Sequence, residues 1–208
     1  MSDTALLQIR NLACIRDGRV LFKHLNLSLH AGQMLLVEGR NGSGKTSLLR
    51  LLTGLQLADA GDVLWAGESI GRLADDYYEQ ISYVGHHDGV KRELTCLENL
   101  RLIQVMGKPV DCSLDDALER VNLYHDADTR VSQLSAGQKR RLALARLLVV
   151  ESKLWILDEP FTSLDKNSMN SFATLFTEHL QMRGMIVMTS HHPVDMPDSN
   201  LQRLNLST

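Results

Sequence analysis

The sequence predicts an α/β fold, with strands in its N-terminal part and a mostly helical insertion in its middle. Three observations carry this. Met34 to Val37 is a continuous apolar run opening directly onto the glycine-rich stretch Gly39 to Thr46. From about Thr95 to Val150 apolar residues recur at helical spacing. Beyond that, apolar runs at Leu154 to Leu157 and Met185 to Met188 bracket a further stretch of helical period.

Each element follows from its pattern. Leu25, Leu27 and Leu29 alternate with polar residues, as in a half-buried strand. Met34 to Val37 suits a strand buried on both faces. Lys45 to Thr53, carrying Leu48, Leu49, Leu51 and Leu52, suits an amphipathic helix. Asp59-Ala60-Gly61 reads as a turn that returns a strand over Asp62 to Ala66. The spacing predicts helices over Cys96 to Met106, Leu114 to Val121, Ala136 to Val150 and Lys166 to Met182. Ligands of such sheets collect where strands end and helices begin, so the order of these elements already bears on function.

With 208 residues, 44% of them hydrophobic, the chain suits one compact domain with a real core. A formal net charge of -3 argues against broad nucleic-acid binding. Cys14, Cys96 and Cys112 lack CxxC spacing, so no zinc framework is legible, and reduced thiols are the simplest reading. The segment MSDTALLQIRNL has neither the basic start nor the long apolar core of a signal peptide. The greasiest stretch, Leu142 to Val150, is broken by Arg146 and too short to span a bilayer. Any membrane role therefore has to come through a partner.

Gly39-Arg40-Asn41-Gly42-Ser43-Gly44-Lys45-Thr46 matches GxxxxGK[ST], after an apolar strand and before a helix. Glycines let the backbone bend closely around phosphates and turn successive N–H groups inward. The helix that follows adds its positive N-terminal end. Lys45 can place a mobile charge on the outer phosphates, the Thr46 hydroxyl can hold Mg²⁺, and Ser47 can add a hydrogen bond. From residue frequencies alone such a match arises by chance in roughly one chain per hundred of this length, and the strand–loop–helix context lowers that further.

Leu154-Trp155-Ile156-Leu157 ends in Asp158-Glu159. Asp158, at the strand end, is placed to hold Mg²⁺ through its water shell, which leaves Glu159 to polarise the attacking water as general base. In isolation this acid pair is weak, since many strands end in solvated carboxylates; behind a phosphate loop it reads as its hydrolytic counterpart. His191 also follows an apolar strand, where a neutral imidazole can donate to the γ-phosphate. A surface histidine is the bland alternative, and His192 sits beside it.

Leu134-Ser135-Ala136-Gly137-Gln138, leading into KRRLALARLL, resembles the signature of ABC ATPases. With GRNGSGKT, LDEP, Ser163-Leu164-Asp165 and TSHH it covers nearly the whole chain in that family's order. The resemblance implies a P-loop NTPase core with an N-terminal β subdomain and an α-helical subdomain inserted at roughly residues 88–150, the whole of 1–208 being one ATP-binding domain. It implies ATP and Mg²⁺ as cofactors and a head-to-tail dimer of two copies. Ser135, Ala136, Gly137 and Gln138 of one copy would then face the ATP held by the other's Lys45, with Ser163, Leu164 and Asp165 as the dimer-facing D-loop. A helix start suits an anion, although Ser135 alone is also an ordinary N-cap.

Two positions depart from that family's pattern. Arg16 stands where an aromatic residue usually stacks on adenine, and a guanidinium plane can stack on a base too. His86 occupies the position of the glutamine between the two lobes that contacts nucleotide-bound Mg²⁺. An imidazole there predicts a link sensitive to pH near neutrality, which His86→Gln tests.

The wording of RLLTGLQLADAGDVLWAGESI, GHHDGVKRELTCLENL, LSAGQKRRLALARLL and LWILDEPFTSLD looks like the ATP-binding subunits of the c-type cytochrome maturation system, the haem exporter ATPases. That resemblance implies a peripheral protein on the cytoplasmic face of a bacterial inner membrane, paired with an integral membrane subunit through a surface at about His86 to Met106. Adjacent side chains diverge along extended chain and no third ligand stands at suitable spacing, so one member of each pair, His86-His87 and His191-His192, reads as a nucleotide sensor rather than a haem or metal ligand. Other readings are a transporter ATPase of different cargo, a soluble ABC ATPase acting on ribosomes or DNA, and a small-molecule kinase. The absence of heptads and of a second phosphate loop weighs against the soluble ATPase, and LSAGQ with the acid pair against the kinase.

Overall fold

A computed structural model describes residues 6–191 and 200–207; His192, paired above with His191, lies outside them. The chain opens with β1 (Leu7–Arg16), β2 (Arg19–Leu29) and β3 (Met34–Glu38), then α1 (Lys45–Leu52), β4 (Ala60–Trp65) and β5 (Glu68–Ser69). Two single-turn helices, α2 (Ile70–Leu73) and α3 (Asp75–Tyr78), lead to β6 (Ile81–Val84). The helical stretch holds α4 (Cys96–Met106), α5 (Leu114–Arg120) and α6 (Ala136–Ala145). It is followed by β7 (Leu154–Leu157), α7 (Lys166–Gln181), β8 (Met185–Thr189) and β9 (Leu201–Asn205).

Among the described residues the strands form two sheets. One is antiparallel, in the order β2-β1-β4-β5; the other is parallel, in the order β6-β7-β8-β3-β9. The parallel strands read MLLV, LWIL and MIVM because both of their faces are covered. Alternation then divides one core into two. Met34, Leu36, Trp155, Leu157, Ile186 and Met188 face α4 to α7. Leu35, Val37, Leu154, Ile156, Met185 and Val187 face α1 and the antiparallel sheet. No helix among the described residues is long and apolar enough to cross a membrane.

The helix predicted from Ala136 to Val150 stops at Ala145 and tightens into a 3₁₀ turn over Arg146–Leu148. No glycine or proline marks that end; the cause is tertiary. Arg146 donates to the carbonyls of Asp88 (3.0 Å) and Gly89 (3.4 Å), which draws the chain out of α-helical register.

His179 is a buried histidine far along α7. Its ring stacks on Trp155 at 3.8 Å, and Gly184 is required beside it because a Cβ there would overlap the imidazole. Burial lowers its pKa to about 4, against a smaller upward pull from the backbone of Met185 and Lys153. The unfolded chain therefore binds the proton first. Stability from this group is complete above pH 6.5 and is lost as pH falls towards 4, by up to about 3 kcal/mol. Urea midpoints of the wild type should drop over this window, and His179→Leu should flatten that slope whatever it does to stability at pH 7.

Candidate active site

All the segments at issue leave the same edge of the parallel sheet. Gly39 follows β3, Asp158 and Glu159 follow β7, Ser190 and His191 follow β8, and Gly85 and His86 follow β6. Adjacency of β7, β8 and β3 brings three of them side by side.

Gly39, Gly42 and Gly44 of the loop take positive φ, of 149°, 77° and 101°. Around Gly39 there is no room for a Cβ: one would crowd the hydroxyls of Ser43 and Ser207. Gly44 is the N-cap of α1, and no described side chain accepts from that first turn. By contrast, α4, α6 and α7 are capped by Thr95, Ser135 and Asp165. The amides that start α1 are thus left for an anion, and the glycine backbone leaves space for one. The Lys45 ammonium, on a largely buried side chain, donates to the carbonyls of Gly39 (2.8 Å) and Arg40 (3.4 Å). Arg40 and Asn41 line an open cavity of about 470 Å³ beside the loop, together with Arg19, Val20 and Ser207. Arg16 is not among its lining residues; it lies exposed at the end of β1, paired across the hairpin with Arg19.

Thr46 and Asp158 are 112 positions apart and meet here, Thr46 Oγ1 donating to Asp158 Oδ2 at 2.9 Å. The other carboxylate oxygen accepts from Thr189 Oγ1 (2.8 Å), which in turn accepts the Glu159 N–H (2.8 Å). Hydroxyl and carboxylate oxygen side by side at a phosphate loop form a hard-oxygen donor set, which fits Mg²⁺. Glu159 has φ of 49°, a left-handed conformation that a non-glycine residue holds only when its surroundings fix it. Its Oε1 lies 3.0 Å from His191 Nε2, and Thr162 Oγ1 donates weakly to Oε2 (3.5 Å). These residues, with Phe161, Ser163 and Ser190, surround a cavity of about 230 Å³.

Ser135 caps α6: its hydroxyl accepts the Gln138 N–H, and the Gln138 side chain accepts the Ser135 N–H. Gln138 also donates to Asp126 (3.0 Å), so its amide group is engaged within the chain. Gly137 lies where a Cβ would stand 2.8 Å from the Ser163 carbonyl. Signature and D-loop thus touch within one copy. Ser163 takes φ of 65°, Leu164 packs against the core, and Asp165 caps α7 by accepting the Ser168 N–H at 2.7 Å. That bond holds the Asp165 carboxyl below its usual range. Ala136 is the first residue of α6, and half-buried Ser47 lies in the first turn of α1. His86 is exposed, with its ring edge-on to that of His87 at 5.6 Å.

Sequence reasoning missed three residues of this site. Thr189 opens the TSHH segment, but its own role carries no sequence signal. Ser207 accepts the Arg40 N–H at 2.7 Å from 167 positions away. Arg140 stands between Lys139 and Arg141 with no sequence signal of its own, yet it is 3% exposed.

The sequence profile described as "ABC transporter" matches residues 22–162. Among curated proteins, "Cytochrome c biogenesis ATP-binding export protein CcmA" of Aliivibrio fischeri is 44% identical over 202 residues, 97% of this chain and 99% of that one. The chain belongs to the ABC transporter family. The protein of the same name from Escherichia coli K12 is 42% identical over 97% of both chains. An ABC transporter ATP-binding protein from Pyrococcus furiosus superposes with a TM-score of 0.82, at 24% identity and 96% coverage of each chain. The dimeric, ADP- and Pi-bound ATP-binding cassette MJ0796 gives 0.79, at 22% identity, covering 90% of this chain and 88% of that one. These two likenesses show the fold: an ABC cassette.

Proposed function

We propose that this chain is the ATP-binding and ATP-hydrolysing subunit of an export complex in cytochrome c biogenesis, coupling hydrolysis to haem handling. The observation that carries the hydrolytic part is the convergence of Thr46, Asp158, Glu159 and His191 beside an uncapped helix start. The near full-length identity to proteins named for cytochrome c biogenesis supports the cargo system.

In this reading the amides of residues 42–46 and the Lys45 ammonium bind the β- and γ-phosphates of ATP. Arg16 would stack on the base, and Arg40 and Asn41 add contacts to the nucleotide from the loop. Thr46 and Asp158 would hold Mg²⁺, which neutralises charge on the phosphate oxygens when bound. Glu159 accepts a proton from the attacking water, and His191, whose Nε2 stands 3.0 Å from that carboxylate, turns its single N–H to the γ-phosphate when ATP is bound. His86 reports on the nucleotide from the edge of β6. Ser135 and Gly137 reach the ATP of a second copy, with Ser163 to Asp165 at the dimer seam. Residues 1–208 act as one ATP-binding domain with its helical subdomain at roughly 88–150. A CcmB-like integral membrane subunit anchors the chain to the cytoplasmic face of the inner membrane.

Co-expression tests this. The chain is expected to co-purify with that membrane subunit and to hydrolyse MgATP faster in the complex than alone. Co-purification with a membrane subunit of another cargo system instead would overturn the cytochrome assignment and leave the hydrolytic one standing.

A further inference from the structure

The Arg140 guanidinium has five N–H groups, and the structure gives all five an acceptor. Nε donates to the Pro160 carbonyl (3.0 Å). Nη1 donates to the Gly85 carbonyl (2.9 Å) and to Asp88 Oδ1 (3.1 Å). Nη2 donates to the carbonyls of Asp158 (2.7 Å) and Glu159 (2.8 Å). A helix residue thus ties together two segments distant in sequence, one carrying the acid pair and one carrying His86. Only one of the five acceptors, Asp88, is an acid, and burying a guanidinium against four neutral carbonyls is a costly way to pack a core. What the arrangement achieves is geometry: a rigid planar fork sets three consecutive carbonyls against α6.

The consequence falls on Glu159. Its left-handed backbone is held from two sides, by Thr189 at the N–H and by Arg140 at the carbonyl. Five residues before Arg140 stands Ser135, the N-cap of the same helix.

We infer that Arg140 is a positioning residue for hydrolysis, fixing the Glu159 carboxylate and the His86-bearing segment to the helix that begins at the signature. Its part in turnover rests on Glu159 being the general base. Movement of α6 is thereby transmitted to the hydrolytic carboxylate through hydrogen bonds of one side chain. Lysine, a point donor on a flexible stem, cannot reproduce the fork.

The test measures kcat and KM for ATP on the complex with its membrane subunit, for Arg140→Lys, Asp88→Asn and Glu159→Gln. Arg140→Lys should lower kcat by about tenfold or more with KM within about twofold, the split expected when binding survives and the reacting geometry does not. Asp88→Asn, at a partly exposed position, should lower kcat by about threefold at unchanged KM. A folded Arg140→Lys with wild-type kcat, or with kcat and nucleotide binding lost together, overturns the inference. If its thermal melt shows Arg140→Lys unfolded, Asp88→Asn decides, and wild-type kcat there overturns it. Normal turnover by Glu159→Gln would instead show that the general-base reading has failed.

Discussion

Glu159→Gln is expected to bind ATP within about twofold of wild type and to hydrolyse it ~10²-fold more slowly or worse. Glutamine keeps the shape, and its amide oxygen still accepts from His191 Nε2, 3.0 Å from the present carboxylate. The backbone bonds to Thr189 and Arg140 do not involve the side chain and persist. What disappears is the capacity to take a proton from water. With turnover blocked after binding, two copies should stay closed over their nucleotides, so the variant should elute as a dimer with ATP and as a monomer without it. Phosphate release in a single turnover, read beside equilibrium binding, separates this from a binding defect. Phosphate released at the wild-type rate would move the base elsewhere in the site.

Lys45→Ala should show the opposite pattern. The side chain is largely buried and its ammonium is held by the Gly39 and Arg40 carbonyls of the loop, where the proposed reading has it meet an outer phosphate. A charge-assisted hydrogen bond in such a site is worth about 1.5–3 kcal/mol, so ATP affinity should fall by roughly 10- to 100-fold. Alanine also leaves two loop carbonyls without their donor, so part of the loss reflects a loop that no longer holds its curvature. Calorimetric titration with ATP and with ADP isolates the share that belongs to the γ-phosphate. A larger loss for ATP than for ADP marks contact with the γ-phosphate, and equal loss marks the β-phosphate contact together with the loop. Unchanged affinity for either nucleotide would remove Lys45 from the binding site.

Much of the framework was legible because its causes are local. Cys96–Met106 and Leu154–Leu157 form as the apolar spacing predicts, and α1 begins at Lys45 directly behind the glycines. Strands with weaker patterns carry no such local signal. β9, LQRLN, lies at the sheet edge with mixed exposure, and β5 is two residues long. α2 and α3 are single turns, too short to show a period. The overlong helix from Ala136 erred because Arg146 answers to carbonyls of a loop that precedes it by more than fifty residues.

The residue order alone determined the phosphate loop and the acid pair, since a backbone that must bend on glycines and a strand that must end in carboxylates are properties of a few neighbouring residues. Only the tertiary structure decided what those groups meet. The pairing of Thr46 with Asp158, the shared hydroxyl of Thr189, the His191–Glu159 contact and the burial of Arg140 all depend on which strands lie side by side. Strand order is fixed by packing of the whole chain. A buried arginine and a solvated one are spelled identically, and only the surrounding carbonyls tell them apart.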